Sequence, residues 1–454
     1  MVKVLHTSDW HLGKKLYKKE RWPEQQAFLE WLINVIKDEQ VEVLIIAGDI
    51  FDTPLPPSYA LKGLFDFYRK IDDLTCLKKV IVIAGNHDSA KLIEAPTNLL
   101  SSKFHILGRP YNENGQRDED KALAFWQRDH KVTYQRNDRE RPIQIGLLPF
   151  FRSSDLLLKD PALLEQNKNS DKSDKSNKEE RGTDISPDQI LLRAIEFWLG
   201  KWDLAKKDYN IFVGHHLYGS FMESGSEQGV GLSGLASLPL GLFSDWDLLC
   251  LGHIHKPQCI KKENPMAYYS GSPIPMRFSE REQKKINIYE FETQLEDKSI
   301  QLRQIPIPTM RKLLQIESTP DKWTDDLDEI LKAESDQYTD LEAFLELTLK
   351  FDTPEPSFID TIREYLQEKN IELLNYYQII NQKNLDQDSN KGIDAKKIQT
   401  AQIDELFDLY LEEEGVPSKD KERIKETFHE LTHTYGKTSS QDEKDEKGER
   451  GESP

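Results

Sequence analysis

Short, almost wholly apolar runs alternate with amphipathic stretches through the first half of the chain. Val2–Thr7, Val41–Ala47 and Val80–Ala84 are rich in β-branched residues, and each gives way to Ser, Gly or Asn and then to charged residues. Runs of this length and boundary predict buried strands whose ends open into functional loops. Between them, Glu24–Asp38 sets Phe28, Leu29, Leu32, Val35 and Ile36 on one helical face, and Ser58–Ile71 predicts a second helix. Strand–helix–strand alternation predicts βαβ units with right-handed crossovers. Ile143–Leu148, Tyr209–Val213 and Asp247–Leu251 extend the strand series. Ala267–Tyr269 and Lys285–Phe291 have no helix between them and read as antiparallel. The expected fold class is α/β, with two facing sheets flanked by helices.

Two segments interrupt the pattern. Asn112–Arg141 is polar and weakly patterned and reads as a surface excursion, and 167–188 is charged and low in complexity, which predicts a disordered loop. Ile305–Met310 (IPIPTM) closes a first domain at about residue 307. Beyond it, strand Lys312–Glu317, helix Lys322–Ala333, strand Leu341–Phe351, helix Glu355–Lys369 and strand Ile371–Ile379 form a compact α/β module over 308–380. A polar linker over 381–400 then leads to two amphipathic helices within 401–435, and 436–454 reads as a disordered acidic tail. Leu406, Phe407 and Tyr410 share one face of the first helix, and Ile424, Phe428 and Leu431 share one of the second. A tethered amphipathic pair suits docking into a partner's groove; the alternative is that it folds back on the preceding module.

Composition narrows the class. At 454 residues the chain exceeds one typical core. No apolar run approaches the ~20 residues that cross a bilayer, and the N-terminus meets Asp9 too soon for a signal peptide. The three cysteines Cys76, Cys250 and Cys259 make no zinc pattern or disulfide framework. These features lead us to expect a cytoplasmic protein without membrane association. The net charge of −19 argues against a general polyanion binder, but the acidic excess is uneven, the last ~50 residues carrying roughly twice as many acids as bases, and bound divalent ions would change the field around a carboxylate-rich site.

The candidate chemistry lies at five strand ends: Asp9-Trp-His11, Gly48-Asp49, Gly85-Asn86-His87-Asp88, Gly214-His215-His216 and Gly252-His253-Ile-His255. Each motif alone has an ordinary reading as a turn or a satisfied polar residue. Their succession at consecutive strand ends, where layered sheets bind ligands, predicts a dinuclear metal site. Asp, Asn and His donors suit Mn²⁺, Fe²⁺ or Zn²⁺. His6 and His105 read as a strand residue and a surface residue, and Phe151-Arg152 with the lysines at 14, 15, 18 and 19 as candidate phosphate contacts. No GxxxxGK[ST] motif is present, so any ATP dependence belongs to a partner.

The order DxH, GD, GNHD, GH, GHxH resembles the calcineurin-like metallophosphoesterases. LHTSDWHLGKKLY, IIAGDIFDTPLPPSYA, IAGNHDSAKL, LGHIHKPQ and YYSGSPIPMRFSE resemble the SbcD family within them. The resemblance implies a four-layer αββα sandwich over 1–307 with a DNA-gripping cap over 308–380. It implies one ion on Asp9, His11, Asp49 and His255 and a second on Asp49, Asn86, His215 and His253, with Mn²⁺ as the metal. His215 is preferred to His216 because it directly follows Gly214. His87 matches a catalytic histidine that is not a ligand, and Asp52 a carboxylate that orients it. The family further implies 3′-to-5′ exonuclease and hairpin endonuclease action with an SbcC-type coiled-coil ATPase that docks on the terminal helices, on double-stranded DNA ends and hairpins, as a homodimer within a heterotetramer, nucleoid-associated when on DNA. A stand-alone metallophosphoesterase for a nucleotide or phosphoprotein is the alternative.

Overall fold

The computed structural model describes residues 1–109, 131–152, 187–200, 202–227, 237–294, 297–333, 339–353, 355, 357–380, 411 and 421. Leu406, Phe407, Tyr410, Ile424, Phe428 and Leu431, expected to dock on a partner, lie outside these, as do the tail and most of 167–188. The helix Pro187–Leu199 begins within the last two residues of that supposed loop.

Two six-stranded sheets face each other. The first runs Ile300–Pro306, Lys285–Phe291, Val2–Thr7, Val43–Ala47, Lys79–Ile83, Phe104–Leu107 across its width; the last four are parallel. The second runs Gln258–Lys261, Met266–Tyr269, Leu248–Leu251, Tyr209–Gly214, Ile143–Leu148, Lys131–Tyr134, with its four central strands parallel. Strands that are apolar on both sides must be covered on both faces. Val4, Val43, Ile45, Ile81 and Ile83 meet Ile145, Ile211, Val213 and Cys250 between the sheets. Leu5, Leu44 and Ile46 pack outward on Phe28, Leu32, Ile36, Leu64 and Phe67 of the helices Trp22–Asp38 and Ser58–Asp72. Phe212, Leu249 and Leu251 belong to a core with Leu191, Ala194, Ile195 and Trp198 of the helix Pro187–Leu199. This is the expected four-layer α/β sandwich.

Two expectations need correction. Within the supposed excursion, Lys131–Tyr134 is an edge strand antiparallel to Ile143–Leu148, burying Val132 and Tyr134 and exposing the residues between. One covered face suffices at an edge, so its pattern is weak. Met266–Tyr269 is parallel to Leu248–Leu251. The edge strand Gln258–Lys261 carries the chain back, so the parallel re-entry needs no helix.

Met1–Ile380 forms one compact unit. Within it, three parallel strands, Leu313–Ser318, Ala343–Phe351 and Ile371–Ile380, make a separate sheet with its own core of Leu314, Leu345, Leu347, Leu349, Trp323, Leu327, Ile362 and Leu366. This cap meets the sandwich through Leu16, Phe278 and Phe344. Tyr17 donates to Glu346 at 2.6 Å, and the Arg311 guanidinium lies 4.0 Å over the Phe344 ring and 3.5 Å from Glu24.

Candidate metal centre

All five motifs follow strands of the facing sheets and converge at one edge. Asp9, His11, Asp49, His87, His215, His253 and His255 are all buried. Asp9, His11, Asp49 and His253 adopt φ of 54°, 45°, 49° and 96°, a region that side chains enter at a cost of about 1–3 kcal/mol each. Hydrogen bonds between the loops hold these conformations. Asp9 N–H donates to Gly48 O at 3.0 Å, His11 N–H to Asp49 O at 3.1 Å, and His253 N–H to Asp9 Oδ1 at 3.0 Å. At Gly48, where φ is +89°, a side chain would run into the His215 ring; glycine permits both the turn and the approach.

Three groups of donors lie within 4.8 Å among the described residues: His11–Asp52–His87, which shares His11 with the next, and the two clusters Asp9–His11–His255 and Asp49–His215–His253. Asp49 Oδ2 stands between them, 3.7 Å from His11 Nε2 and 3.2 Å from His215 Nε2. Asn86 Oδ1 completes the second cluster, 2.8 Å from His253 Nδ1 and 3.2 Å from His215 Nε2. His215 Nδ1 donates to Ala47 O at 2.6 Å, leaving Nε2 as a lone-pair donor. His216 points elsewhere, with Nε2 3.2 Å from Phe151 O and its ring against Phe150 and Phe151.

This donor set fits a pair of divalent ions. His11 Nε2 and His255 Nε2 face each other at 3.0 Å. Two nitrogens about 2.1 Å from one ion, at right angles, would stand about 3.0 Å apart. The electrostatics also call for cations. Burial, reinforced by Asp49, raises Asp9 to about 8. Burial pulls His215 down, but the carboxylates of Asp49 and Asp9 outweigh it and lift His215 to about 9. Burial lowers His253 to about 3, helped by His215, and also lowers His11 and His255.

His87 N–H donates to Asp49 Oδ1 at 2.9 Å, and His87 Nδ1 to the backbone carbonyl of Asp52 at 2.7 Å. The expectation that the Asp52 carboxylate orients His87 is therefore corrected. That carboxylate lies 3.2 Å from His11 Nδ1 and 2.9 Å from Lys14 Nζ. Burial opposes its ionisation, but these partners hold it down at about 2. Several of the candidate phosphate contacts have partners within the protein. Phe151 is buried in the core under His216, Lys14 is paired with Asp52, Lys15 with Glu20 at 3.8 Å, and Lys19 with Glu372 of the cap.

Several supporting residues escaped the sequence reading. Asp88, visible in the GNHD motif, accepts from the backbone N–H groups of Ile50, Phe51 and Gly85 at 2.9–3.1 Å and ties two ligand loops together. Gln25, a polar residue buried in an amphipathic helix, donates to His11 O at 2.8 Å and accepts from Gly13 N–H at 3.0 Å. The Ser8 hydroxyl lies between Asp9 and Ser270.

Residues 2–257 match the calcineurin-like phosphoesterase family, and the chain belongs to it. Residues 310–415 match a second family, described as the type 5 capsule protein repressor C-terminal domain. The chain is similar to the SbcD component of the SbcCD nuclease in several bacteria. The Escherichia coli (strain K12) protein is 28% identical over 286 residues, 62% of each chain. That of Bacillus subtilis (strain 168) is 27% identical over 284 residues, 62% of this chain and 63% of its own. That of Staphylococcus saprophyticus is 28% identical over 317 residues, 70% of this chain and 72% of its own. The chain thus spans less than two thirds of the length of the first two relatives.

Proposed function

We propose that this chain is the nuclease component of an SbcCD-type complex, a two-ion phosphodiesterase acting on DNA ends and hairpins. The observation that carries the chemistry is Asp49. One of its oxygens lies between two donor clusters, and the other accepts the backbone N–H of His87. In this reading Asp9, His11, Asp49 and His255 hold one ion, and Asp49, Asn86, His215 and His253 the other. Bound ions supply charge neutralisation of the phosphodiester and activation of the attacking water. With Nδ1 committed to Asp52 O, His87 has Nε2 to offer the departing oxygen, as a proton donor or a stabilising charge. The backbone bond to Asp49 fixes His87 beside the two donor clusters that would hold the ions. The Asp52 carboxylate keeps the His11 ring oriented.

The choice of DNA rests on similarity to the SbcD nucleases and on the module matched over 310–415. We assign Mn²⁺ as the metal, 3′-to-5′ exonuclease and hairpin endonuclease action, an SbcC-type ATPase partner, a homodimer within a heterotetramer, and work in repair, recombination and replication. The test is Mn²⁺-dependent cleavage of a labelled DNA hairpin by wild type and His87→Ala, each with and without the coiled-coil ATPase. Cleavage that partner and ATP stimulate, and that His87→Ala loses with metal content unchanged, is the expected result. Hydrolysis of a small phosphodiester with DNA left uncut in both settings would instead indicate a stand-alone phosphoesterase.

A further inference from the structure

Behind His255 lies a buried polar chain that belongs to neither donor cluster. Ser226 Oγ stands 2.6 Å from His255 Nδ1 and 2.5 Å from Glu280 Oε1. The other oxygen of Glu280 accepts from Lys284 Nζ at 2.7 Å and from Met276 N–H at 3.1 Å. Lys284 Nζ also reaches His255 O at 3.2 Å. Glu227 accepts the His255 N–H at 2.9 Å and the Gly225 N–H at 2.9 Å, fixing the turn that presents Ser226. Ser226, Glu227, Glu280, Lys284 and His255 are all buried.

Ser226 Oγ also lies 2.6 Å from Ser224 Oγ, so its single proton has two acceptors to choose from; with Glu280 ionised beside Lys284, one direction along this chain is self-consistent. A carboxylate only accepts, so the Ser226 hydroxyl proton points to Glu280. The Ser226 oxygen must then accept, and its donors are the Ser224 hydroxyl and Nδ1–H of His255. That tautomer puts the lone pair of His255 on Nε2, the atom facing His11 Nε2. On the other side, the Asp52 carboxylate lies 3.2 Å from His11 Nδ1 without hydrogen-bond geometry, so no comparable relay fixes the tautomer of His11. With its lone pair on Nε2, His255 accepts from His11 Nε2–H across the 3.0 Å contact, and the same lone pair is the one a cation would take. The second cluster is set differently: Nδ1 of His215 is fixed by the backbone at Ala47 O, which no side-chain substitution removes.

We propose that Ser226 and Glu280 are positioning residues for the Asp9–His11–His255 ion, acting as a carboxylate–hydroxyl–imidazole relay that fixes the tautomer of His255. Glu280 is anchored by Lys284. The inference rests on the two-ion reading and adds an asymmetry to it: one ion depends on a side-chain relay and the other does not. Outer partners of ligating histidines typically govern about 10–100-fold in metal affinity.

The experiment is calorimetric Mn²⁺ titration of the full chain with metal counting by mass spectrometry, for wild type, Ser226→Ala, Glu280→Gln, Ser226→Thr and Glu282→Gln. Glu282 contacts Lys284 at 3.0 Å but does not touch Ser226, so it serves as the control. Long-range ¹H–¹⁵N spectra of the metal-free proteins report the His255 tautomer directly. The relay predicts that Ser226→Ala and Glu280→Gln weaken one of two ions about 10–100-fold, leave the other unchanged and mix the His255 tautomers. It predicts that Ser226→Thr, which keeps the hydroxyl, and Glu282→Gln behave as wild type. If wild type binds two ions and both relay variants keep two affinities and a single tautomer, the relay is wrong. If wild type itself binds fewer than two, the two-ion reading has failed instead.

Discussion

At the ends of Val2–Thr7, Val43–Ala47 and Leu248–Leu251 the backbone turns left-handed at Asp9, Asp49 and His253. In the cap, the left-handed residue among those described is Asn370, just past the helix Phe358–Gln367, an ordinary helix stop. The strands themselves are alike: parallel, largely apolar and covered by helices. Among the described residues every candidate metal cluster lies at the edge of the sandwich and none in the cap. The sheets are scaffolds of one kind, and what separates a reactive edge from an inert one is strained backbone and buried charge in the loops. The cap is joined to that edge by a few polar links and a small apolar contact.

The contrast can be broken in graded steps. Asp49→Ala should remove the shared ligand, bring hydrolysis to background and empty the site of tightly held metal. Metal counting beside a phosphodiester assay checks this, and a fold that still melts cooperatively separates it from unfolding. His87→Ala should keep both ions while turnover falls by about 10²–10⁴, measured as kcat in saturating Mn²⁺. Leu345→Ala, in the cap core, should cost the cap about 2–5 kcal/mol. Hydrogen exchange would show the loss in Ala343–Phe351, with Mn²⁺ binding at the sandwich edge unaltered.

A smaller effect is expected at the link between the two regions. Glu346 accepts from Tyr17 at 2.6 Å, Gln315 at 2.8 Å and Asn375 at 3.2 Å. Glu346→Ala should cost about 1 kcal/mol per bond and lower hairpin cleavage more than hydrolysis of a small phosphodiester. Equal loss on both substrates would mean that the cap does not position DNA. The smallest effect concerns Glu39, which Arg303, with help from Lys3, holds down at about 2. A carboxyl depressed in the folded state contributes above its unfolded value and loses that contribution as pH falls through the folded one. Glu39→Gln should therefore cost at most about 1 kcal/mol at pH 7, given its partly exposed partners, and the deficit should shrink between about pH 4.5 and 2. Urea unfolding across that range measures it.

The sandwich was legible because its central strands are apolar on both faces: Val2–Thr7, Ile143–Leu148 and Lys285–Phe291 coincide with the expected bounds. The edge strands Phe104–Leu107, Lys131–Tyr134, Gln258–Lys261 and Ile300–Pro306 were missed, since a strand covered on one side needs fewer apolar residues. The donor residues could be read because each motif directly follows a strand and carries Asp, Asn or His in a row. Their supporting residues could not. Ser226 and Glu280 lie 54 positions apart and meet only through the fold, and the two functions of Asp52 divide between its carbonyl and its carboxylate in a way no spacing encodes.

The central claim is that Asp49 sits between two ions. Diffraction from crystals grown in Mn²⁺, recorded at the manganese edge, should show two anomalous peaks flanking Asp49 Oδ2, one toward His11 and His255 and one toward His215 and His253. A single peak, or two that do not share Asp49, would contradict it.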